Sequence, residues 1–506
     1  MTLVKRNVLA NIMGKGASAL FTLIFVPLQL KYLGVEAYGL VGFYATIQTT
    51  FLLIDMGFSG AFTREIARLS VAPDKAQEMR NLCRTFEIGF LLLGGIAALL
   101  IAVLAHPIAS HWVNPENISP NTIVAAIGLM GVSIGLQFSF LIYQGGLLGL
   151  QRQTMLSGLN ILVGLLRGLG GLLVLMFVDS SITVFFGWQV VVSIFQFLSG
   201  RFLAWQNFPQ SLIPSRFDFG LVVPLWRFAA GMAGIAVCSM ILMQADKLIL
   251  SRMLTLEQFG YYSLASMAAG IPFMLAGPIN NAVYPRLTQL VTLGRISELA
   301  KFYHRACQIT AVMVIPAGLF LAIFSKEFML SWTGNPTVAQ NTHQLVSILA
   351  IGSMLLAIMY IPYALQLAFS WTKLALYFNI TSIIILIPSM IWLTNIYGVI
   401  GACFVWLLLN AAYVLGMIQL MHKRILPNEK LVWYRDDVGK PLFSVLLIMA
   451  IGKLFVDPAM PKLGLAFLLV LTLLVSTFVA AMSAPLIRVM VLTRWQVWRS
   501  AKYLSK

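Results

Sequence analysis

Apolar runs of about 20 residues, repeated from one end of the chain to the other, limit its fold more than any other feature. A run of that length crosses the roughly 30 Å hydrocarbon core of a bilayer as a helix. Of the 506 residues, 59% are hydrophobic and only 10% are charged, against about a quarter charged in ordinary soluble chains. A water-soluble fold of this size could not hide so much apolar surface. Closed barrels, the other spanning solution, are written as alternating strands of about ten residues, not as unbroken runs. The chain reads as an all-α polytopic membrane protein.

Fourteen helices are expected, near residues 8–33, 37–69, 82–106, 121–147, 154–178, 182–205, 226–253, 258–288, 302–326, 343–370, 373–395, 397–421, 441–456 and 463–484. Twelve spans is the alternative, because the thirteenth run is short. The basic pair Lys5-Arg6 precedes the first run, and no small-residue cleavage site follows a short apolar core, so this run is expected to stay as a span. Cys83, Cys238, Cys307 and Cys403 are scattered without metal-type spacing and read as small buried hydrophobes. Neither a metal site nor a cofactor is expected.

Lys and Arg in short loops set orientation. With the N-terminus in the cytoplasm, the outer loops hold Lys31, Arg252, Lys326, Lys453 and Lys462, while Lys15, Arg64, Arg167 and Lys247 fall inside spans. The rest of the 34 basic residues lie on the inner side, so both termini are expected in the cytoplasm. The same bias accounts for the net charge of +17. It reflects topology and attraction to acidic lipid heads rather than nucleic-acid binding. The segment 485–506, PLIRVMVLTRWQVWRSAKYLSK, suits a basic aromatic helix lying in the inner interface.

Two segments resemble each other. Residues 31–42 read KYLGVEAYGLVG and residues 252–263 read RMLTLEQFGYYS, aligning without a gap at the junction of the first and second spans of each half. Parallel repeats about an axis along the membrane normal follow, with a substrate cavity between the lobes. The expected organisation is an N-terminal lobe over 1–212 (helices 1–6) and a C-terminal lobe over 213–422 (helices 7–12). Two further helices and a tail follow over 441–506. The outer loops, the longest near 106–121 and 326–343, are too short for a catalytic domain.

Each charge inside the bilayer costs about 2.5–3.5 kcal/mol, so such residues usually face water or a partner. In the first helix Asn7, Asn11, Lys15, Ser18 and Thr22 share one face. This stripe reads as a lining whose Lys15 attracts an anion, with close helix packing through Gly14, Gly16 and Ser18 as the alternative. The stretch LLIDMGFSGAFTREIARL at 52–69 holds Asp55 in mid-span, with Arg64 and Arg68 nearer the inner end. Asp55 needs a proton, a partner or water, whereas the arginines can snorkel. Arg167, in VGLLRGLGG, is set among glycines that permit close approach. A cavity role is favoured there over an ion pair to another helix. In QADKLILSRML, Asp246 and Lys247 point about 100° apart and do not pair with each other. The eighth helix carries Pro272, Pro278 and Pro285 around Asn280 and Asn281, a cavity-lining or hinge region. Glu87 lies one turn inside the third helix, where snorkelling is the simplest account.

Lys15, Arg64, Arg167 and Lys247 outnumber the mid-span acids Asp55 and Asp246. A cation-lined cavity favours anionic cargo, and guanidinium pairs well with phosphate. The two acids are candidates for ion coupling. His106, His111, His304, His343 and His422 lie mostly near span ends with no His/Asp pair expected. The pair Asp436-Asp437 has no evident partner, which argues against transfer chemistry.

The stretches LLIDMGFSGAFTREIA, LLGLQRQ and ADKLILSRMLTLEQFGYYSLA resemble the polysaccharide-biosynthesis flippases, the O-antigen (Wzx-type) translocases of the multidrug/oligosaccharidyl-lipid/polysaccharide exporter superfamily. The resemblance implies two six-helix lobes in a V that open alternately to each side of a bacterial cytoplasmic (inner) membrane. The implied cargo is an undecaprenyl-pyrophosphate-linked oligosaccharide for surface polysaccharide, exchanged for a cation. Polymerase and chain-length proteins of polysaccharide assembly are the implied partners, beside membrane lipids, for a monomeric chain. The family's cation-lined lumen falls on Lys15, Arg64, Arg167 and Lys247. Competing readings are a multidrug exporter of the same superfamily, which would prefer acidic lumen residues, and a membrane polymerase or acyltransferase.

Overall fold

The computed structural model describes residues 3–53, 55, 57–70, 72, 75–211, 213–222, 237, 240–457 and 460–493, without the side chains of 3–15, 17–19, 53, 372 and 462. Helix α1 (Leu3–Leu53) is followed by α2 (Phe58–Leu69), α3 (Ala76–His111) and α4 (Pro120–Gly149). Then come α5 (Gln153–Phe177), α6 (Ile182–Asn207), α7 (240–253) and α8 (Leu256–Thr292). Next are α9 (Ile296–Ile323), the short α10 (Ser325–Thr333), α11 (Pro336–Ala368), α12 (Thr372–Tyr397) and α13 (Val399–Arg424). A π-helical segment Trp433–Gly439 leads into α14 (Lys440–Leu454), followed by α15 (Lys462–Ser483) and α16 (485–493). The chain divides into two compact units, Met1–Gly260 and Tyr261–Lys506.

Among the described residues, 11 helices are long and apolar enough to cross a membrane. The expectation of fourteen separates from this at three places. The first two runs count there as one stretch, yet α1 is broken at Gly34, whose φ of 77° and ψ of 168° are non-helical and which only glycine adopts freely, so two helices meet at that residue. In the seventh run, 226–253, residues 226–236, 238 and 239 lie outside the described residues, and the part that remains, 240–253, is too short to count. The thirteenth forms α14, a helix of only 15 residues. A further difference falls at 54–57: the second run does not continue to residue 69, and α2 starts afresh behind Gly57, again at φ 77°.

Burial sorts the helices. In α4, α9 and α11 about two thirds or more of the most apolar window is inside the protein, whereas in α3, α12 and α15 the share is 28% or less. The outer helices therefore turn apolar faces outward: Leu92, Leu99 and Val103 of α3 are each more than 60% exposed. In water such a face would be an aggregation site; in lipid it is a solvated one. The protein is a multi-pass membrane protein. Small residues let the inner helices close up, as where Gly94 of α3 and Gly135 of α4 each lie against the other's carbonyl oxygen. Ser139 seals the same seam by donating to the Phe90 carbonyl at 3.1 Å.

The two similar segments meet. A side chain on Gly39 would strike the Leu256 carbonyl oxygen, and one on Gly260 would strike the Val35 carbonyl oxygen. The loop after α3 clasps both: Glu36 accepts the backbone N–H groups of Glu116 (2.7 Å) and Asn117 (2.9 Å), while the Asn114 carbonyl accepts the Leu256 N–H at 2.9 Å.

Candidate functional site

Within the first unit, neutral polar side chains from three helices gather around one cation from a fourth. Tyr44 and Gln48 of α1, Ser133 and Gln137 of α4, and Gln189, Ser193 and Gln196 of α6 are spaced by three or four, so each set lies on a single helical face. Helix α5 supplies Arg167 from a π turn, Leu166–Gly170. Glycines surround that turn for a visible reason. Gly168 lies against the Phe25 ring, Gly170 against the Trp188 indole, and Gly171 beside the Gln29 amide, so side chains there would collide. The carbonyls of the widened turn are used: Trp188 Nε1 donates to Leu166 at 2.8 Å and Gln29 Nε2 to Gly168 at 2.9 Å. Turns of this kind mark functional positions in many helices.

The network runs without interruption. Arg167 Nη2 donates to Ser193 Oγ (3.2 Å) and to Gln196 Oε1 (3.0 Å). Ser193 and Ser133 share a hydrogen bond of 2.8 Å, and Ser133 and Tyr44 one of 2.9 Å. Gln137 Nε2 donates to Tyr44 Oη at 2.7 Å and to Ser133 Oγ at 3.0 Å, and Gln137 Oε1 accepts from Gln48. Ser133, Gln137, Gln189 and Ser193 are buried. Both acceptors of the guanidinium are neutral, and its Nε–H has no hydrogen-bond partner among the described residues. Among the described residues it is a cation fixed by dipoles, with no carboxylate paired to it. A phosphate or other oxyanion would complete it through short charge-assisted bonds.

The other expected site residues are placed as follows. The side chains of Lys15, Asn11 and Ser18 lie outside the described residues. Asp55 is buried between α1 and α2, where its carboxylate accepts the Ser59 N–H at 3.0 Å and the Ser59 hydroxyl, capping the start of α2. Arg64 is exposed on α2, one turn before Arg68, which pairs with Glu65 at 2.5 Å. On α7, Asp246 is buried and Lys247 half-buried. In the second unit Pro272 sits in the first turn after a break in α8 at Gly270, where its missing N–H is harmless, and Pro278 lies inside the helix. Asn280 is half-buried with no partner for Oδ1 among the described residues, and Asn281 is exposed.

Two clusters correct the reading from sequence. Glu87 is not a snorkelling group. At 1% exposure its side chain pairs with Arg84 (2.5 Å) and Arg201 (2.8 Å), and accepts the Tyr143 hydroxyl at 2.7 Å and the Trp205 N–H at 3.2 Å. In the second unit a His/Asp pair does exist. His304 Nδ1 meets Asp437 Oδ2 at 2.5 Å, and its Nε2 meets Glu429 Oε2 at 3.1 Å. Gln308 donates to Asp437 Oδ1 at 2.9 Å and accepts the Leu486 N–H at 2.8 Å. This knot ties α9 to the π segment and to the start of α16. Asp436 is also partnered: Arg435, with help from Lys440, holds its carboxyl down to about 2.

Residues 4–291 match the family described as "Polysaccharide biosynthesis protein". The "Putative O-antigen transporter" of Shigella flexneri is 18% identical over 414 residues, covering 80% of this chain and 94% of that one. Two solved structures share the fold. "Lipid II flippase MurJ, inward closed conformation" superposes with a TM-score of 0.71 at 16% identity, over 93% of this chain and 98% of that one. An inward-facing multidrug resistance MATE family transporter of the MOP superfamily gives 0.64 at 13% identity, over 82% and 96%. With its all-helical fold, its apolar spans and the match over its first 291 residues, the chain belongs to the polysaccharide biosynthesis protein family.

Proposed function

We propose that this protein flips a lipid-linked oligosaccharide, carried on undecaprenyl pyrophosphate, across the cytoplasmic membrane for surface polysaccharide synthesis. The observation that carries the reading is Arg167, a membrane-embedded guanidinium whose acceptors among the described residues are neutral. It grips the diphosphate, the neutral Gln, Ser and Tyr groups around it meet the sugars, and the prenyl chain stays in lipid. Alternating exposure of the site to the two sides completes transfer, with both termini in the cytoplasm. Arg64, Lys247 and Lys15 serve as further cationic contacts, and Asp246 or Asp55 couples the cycle to a cation. The chain works as a monomer beside a polymerase and chain-length proteins. The relatives are named as transporters and flippases, which supports translocation over transfer chemistry.

In a strain lacking its own flippase, wild-type protein restores surface glycan. Arg167→Ala abolishes it at unchanged membrane level, and Arg167→Lys restores part. Full glycan with Arg167→Ala would remove the arginine from the reaction. The fold shared with a multidrug transporter keeps a second reading in view. Under it, drug resistance in an efflux-deficient strain rises with expression while glycan export does not.

A further inference from the structure

A second cationic site lies in the second unit, apart from the Arg167 network. A cavity of about 470 Å³ is lined by Arg435 and Gly439 of the π segment, Lys440 and Phe443 of α14, Ser483 at the end of α15, and Pro485 and Arg488. That volume suits a small ligand. Three cations face it, with one carboxylate, Asp436, bound between two of them: Arg435 at 2.8 Å and Lys440 at 2.7 Å. The site keeps a net positive charge, and Asp436 spaces its two partners across the mouth.

The framework is built, not incidental. The π segment adds a wide turn that sends Arg435 and Lys440 to the same cavity. A side chain at Gly439 would meet the Tyr434 carbonyl oxygen at 2.6 Å. Behind the segment Asp437, fully buried, is tied to His304 and Gln308, which pins the backbone from inside. Below the cavity, one face of α14 presents Phe443, Leu447, Ile451 and Leu454 at 73%, 54%, 44% and 84% exposure. Their spacing of four, four and three makes a continuous apolar track along the helix. A cationic cavity opening onto a membrane-facing apolar track has the chemistry of a lipid with an acidic head.

We infer that Arg435, Lys440 and Arg488 form a binding site for the phosphate head of an acidic glycerophospholipid whose acyl chain lies along α14. The lipid acts as a resident ligand that staples the π segment to the α15–α16 junction. This site is independent of the transport reading above.

The test is native mass spectrometry of full-length detergent-purified protein titrated with phosphatidylglycerol, phosphatidylcholine or inorganic phosphate. Phosphatidylglycerol binds in a saturable first step that phosphatidylcholine does not match. Arg488→Gln weakens that step about fivefold, the factor that about 1 kcal/mol per cation near an acidic lipid surface implies. Arg488 is exposed and its replacement leaves the Asp436 pairs untouched. The control Lys301→Gln, an exposed lysine of α9 that does not line the cavity, leaves the step unchanged. Equal weakening by both variants, or none by Arg488→Gln, overturns the site. Displacement of the lipid by inorganic phosphate at equal phosphorus concentration overturns the lipid assignment in favour of a free anion. If Arg488→Gln protein is unstable, Lys440→Gln gives the same reading.

Discussion

Gly39 and Gly260 occupy the same position in two similar segments, and each lies against the backbone of the other segment's matching residue. Gly39 meets the carbonyl of Leu256, and Gly260 that of Val35. Residues 35 and 256 correspond in the alignment, as do 39 and 260. The contact is self-complementary, the relation that a two-fold axis imposes on a shared surface. A similarity read from a dozen letters is thus also a reciprocal packing.

That reciprocity gives the first prediction. Gly260→Ala and Gly39→Ala each drive a methyl into a backbone oxygen that no rotamer can move aside. Each should destabilise by about 1–3 kcal/mol, read as a lower melting temperature of the detergent-solubilised protein. Gly60→Ala, where a side chain would meet open space, should leave it unchanged. Equal behaviour of all three would show that the segments do not pack this way.

Glu87 supplies the second. Glu87→Leu leaves Tyr143 and Trp205 without an acceptor, and Arg84 and Arg201 lose the carboxylate between them. Both arginines are 39–47% exposed and can turn to water, so the expected loss is about 1–3 kcal/mol, the cost of stranded buried donors. Glu87→Gln should cost less, since its carbonyl still accepts. The comparison of the two melting temperatures decides it.

The knot around His304 should be less forgiving. His304→Ala strands Asp437, which is wholly buried, and breaking such a pair from one side costs about 3–5 kcal/mol. The folded fraction on size-exclusion chromatography should collapse, and His304→Ala/Asp437→Asn should recover part of it.

Asp436 gives a pH test. Its folded carboxyl is held at about 2, below the ordinary value near 3.9, so its pairing contributes stability above that ordinary value and loses it only as pH falls through about 2. Asp436→Asn should therefore lower the melting temperature by the same amount at pH 5 and pH 8. A difference present at pH 8 and absent at pH 5 would contradict the pairing.

Ser193 links Arg167 to the rest of its network. Ser193→Ala should reduce glycan export roughly fivefold, the factor carried by about 1 kcal/mol of lost hydrogen bonding. Arg167→Ala should abolish it.

Length and polarity alone exposed the membrane fold, because a 20-residue apolar run has few alternatives. The count of spans was less legible: a single non-helical residue, Gly34, separates the first two helices, and α14 is too short to be decided by hydropathy. Charges were easy to find and their partners were not. Arg201 is 114 residues from Glu87, and Asp437 is 133 from His304, so only the tertiary fold pairs them. The network around Arg167 left a fainter trace. Gln189, Ser193 and Gln196 show helical spacing within an apolar helix, yet uncharged residues draw little notice beside an arginine.

The π turn at Leu166–Gly170 has a consequence of its own. A helix advances about 100° per residue, so the guanidinium's bearing relative to residues 171–177 is set by how many residues the loop of backbone contains, more than by which they are. The wide turn absorbs one extra residue, so deleting Gly168 would heal the coil into an ordinary spiral with its two ends nearly in step, and only the guanidinium and its neighbours in the turn would be re-aimed. Here arithmetic of chain length, rather than side-chain identity, aims the charge.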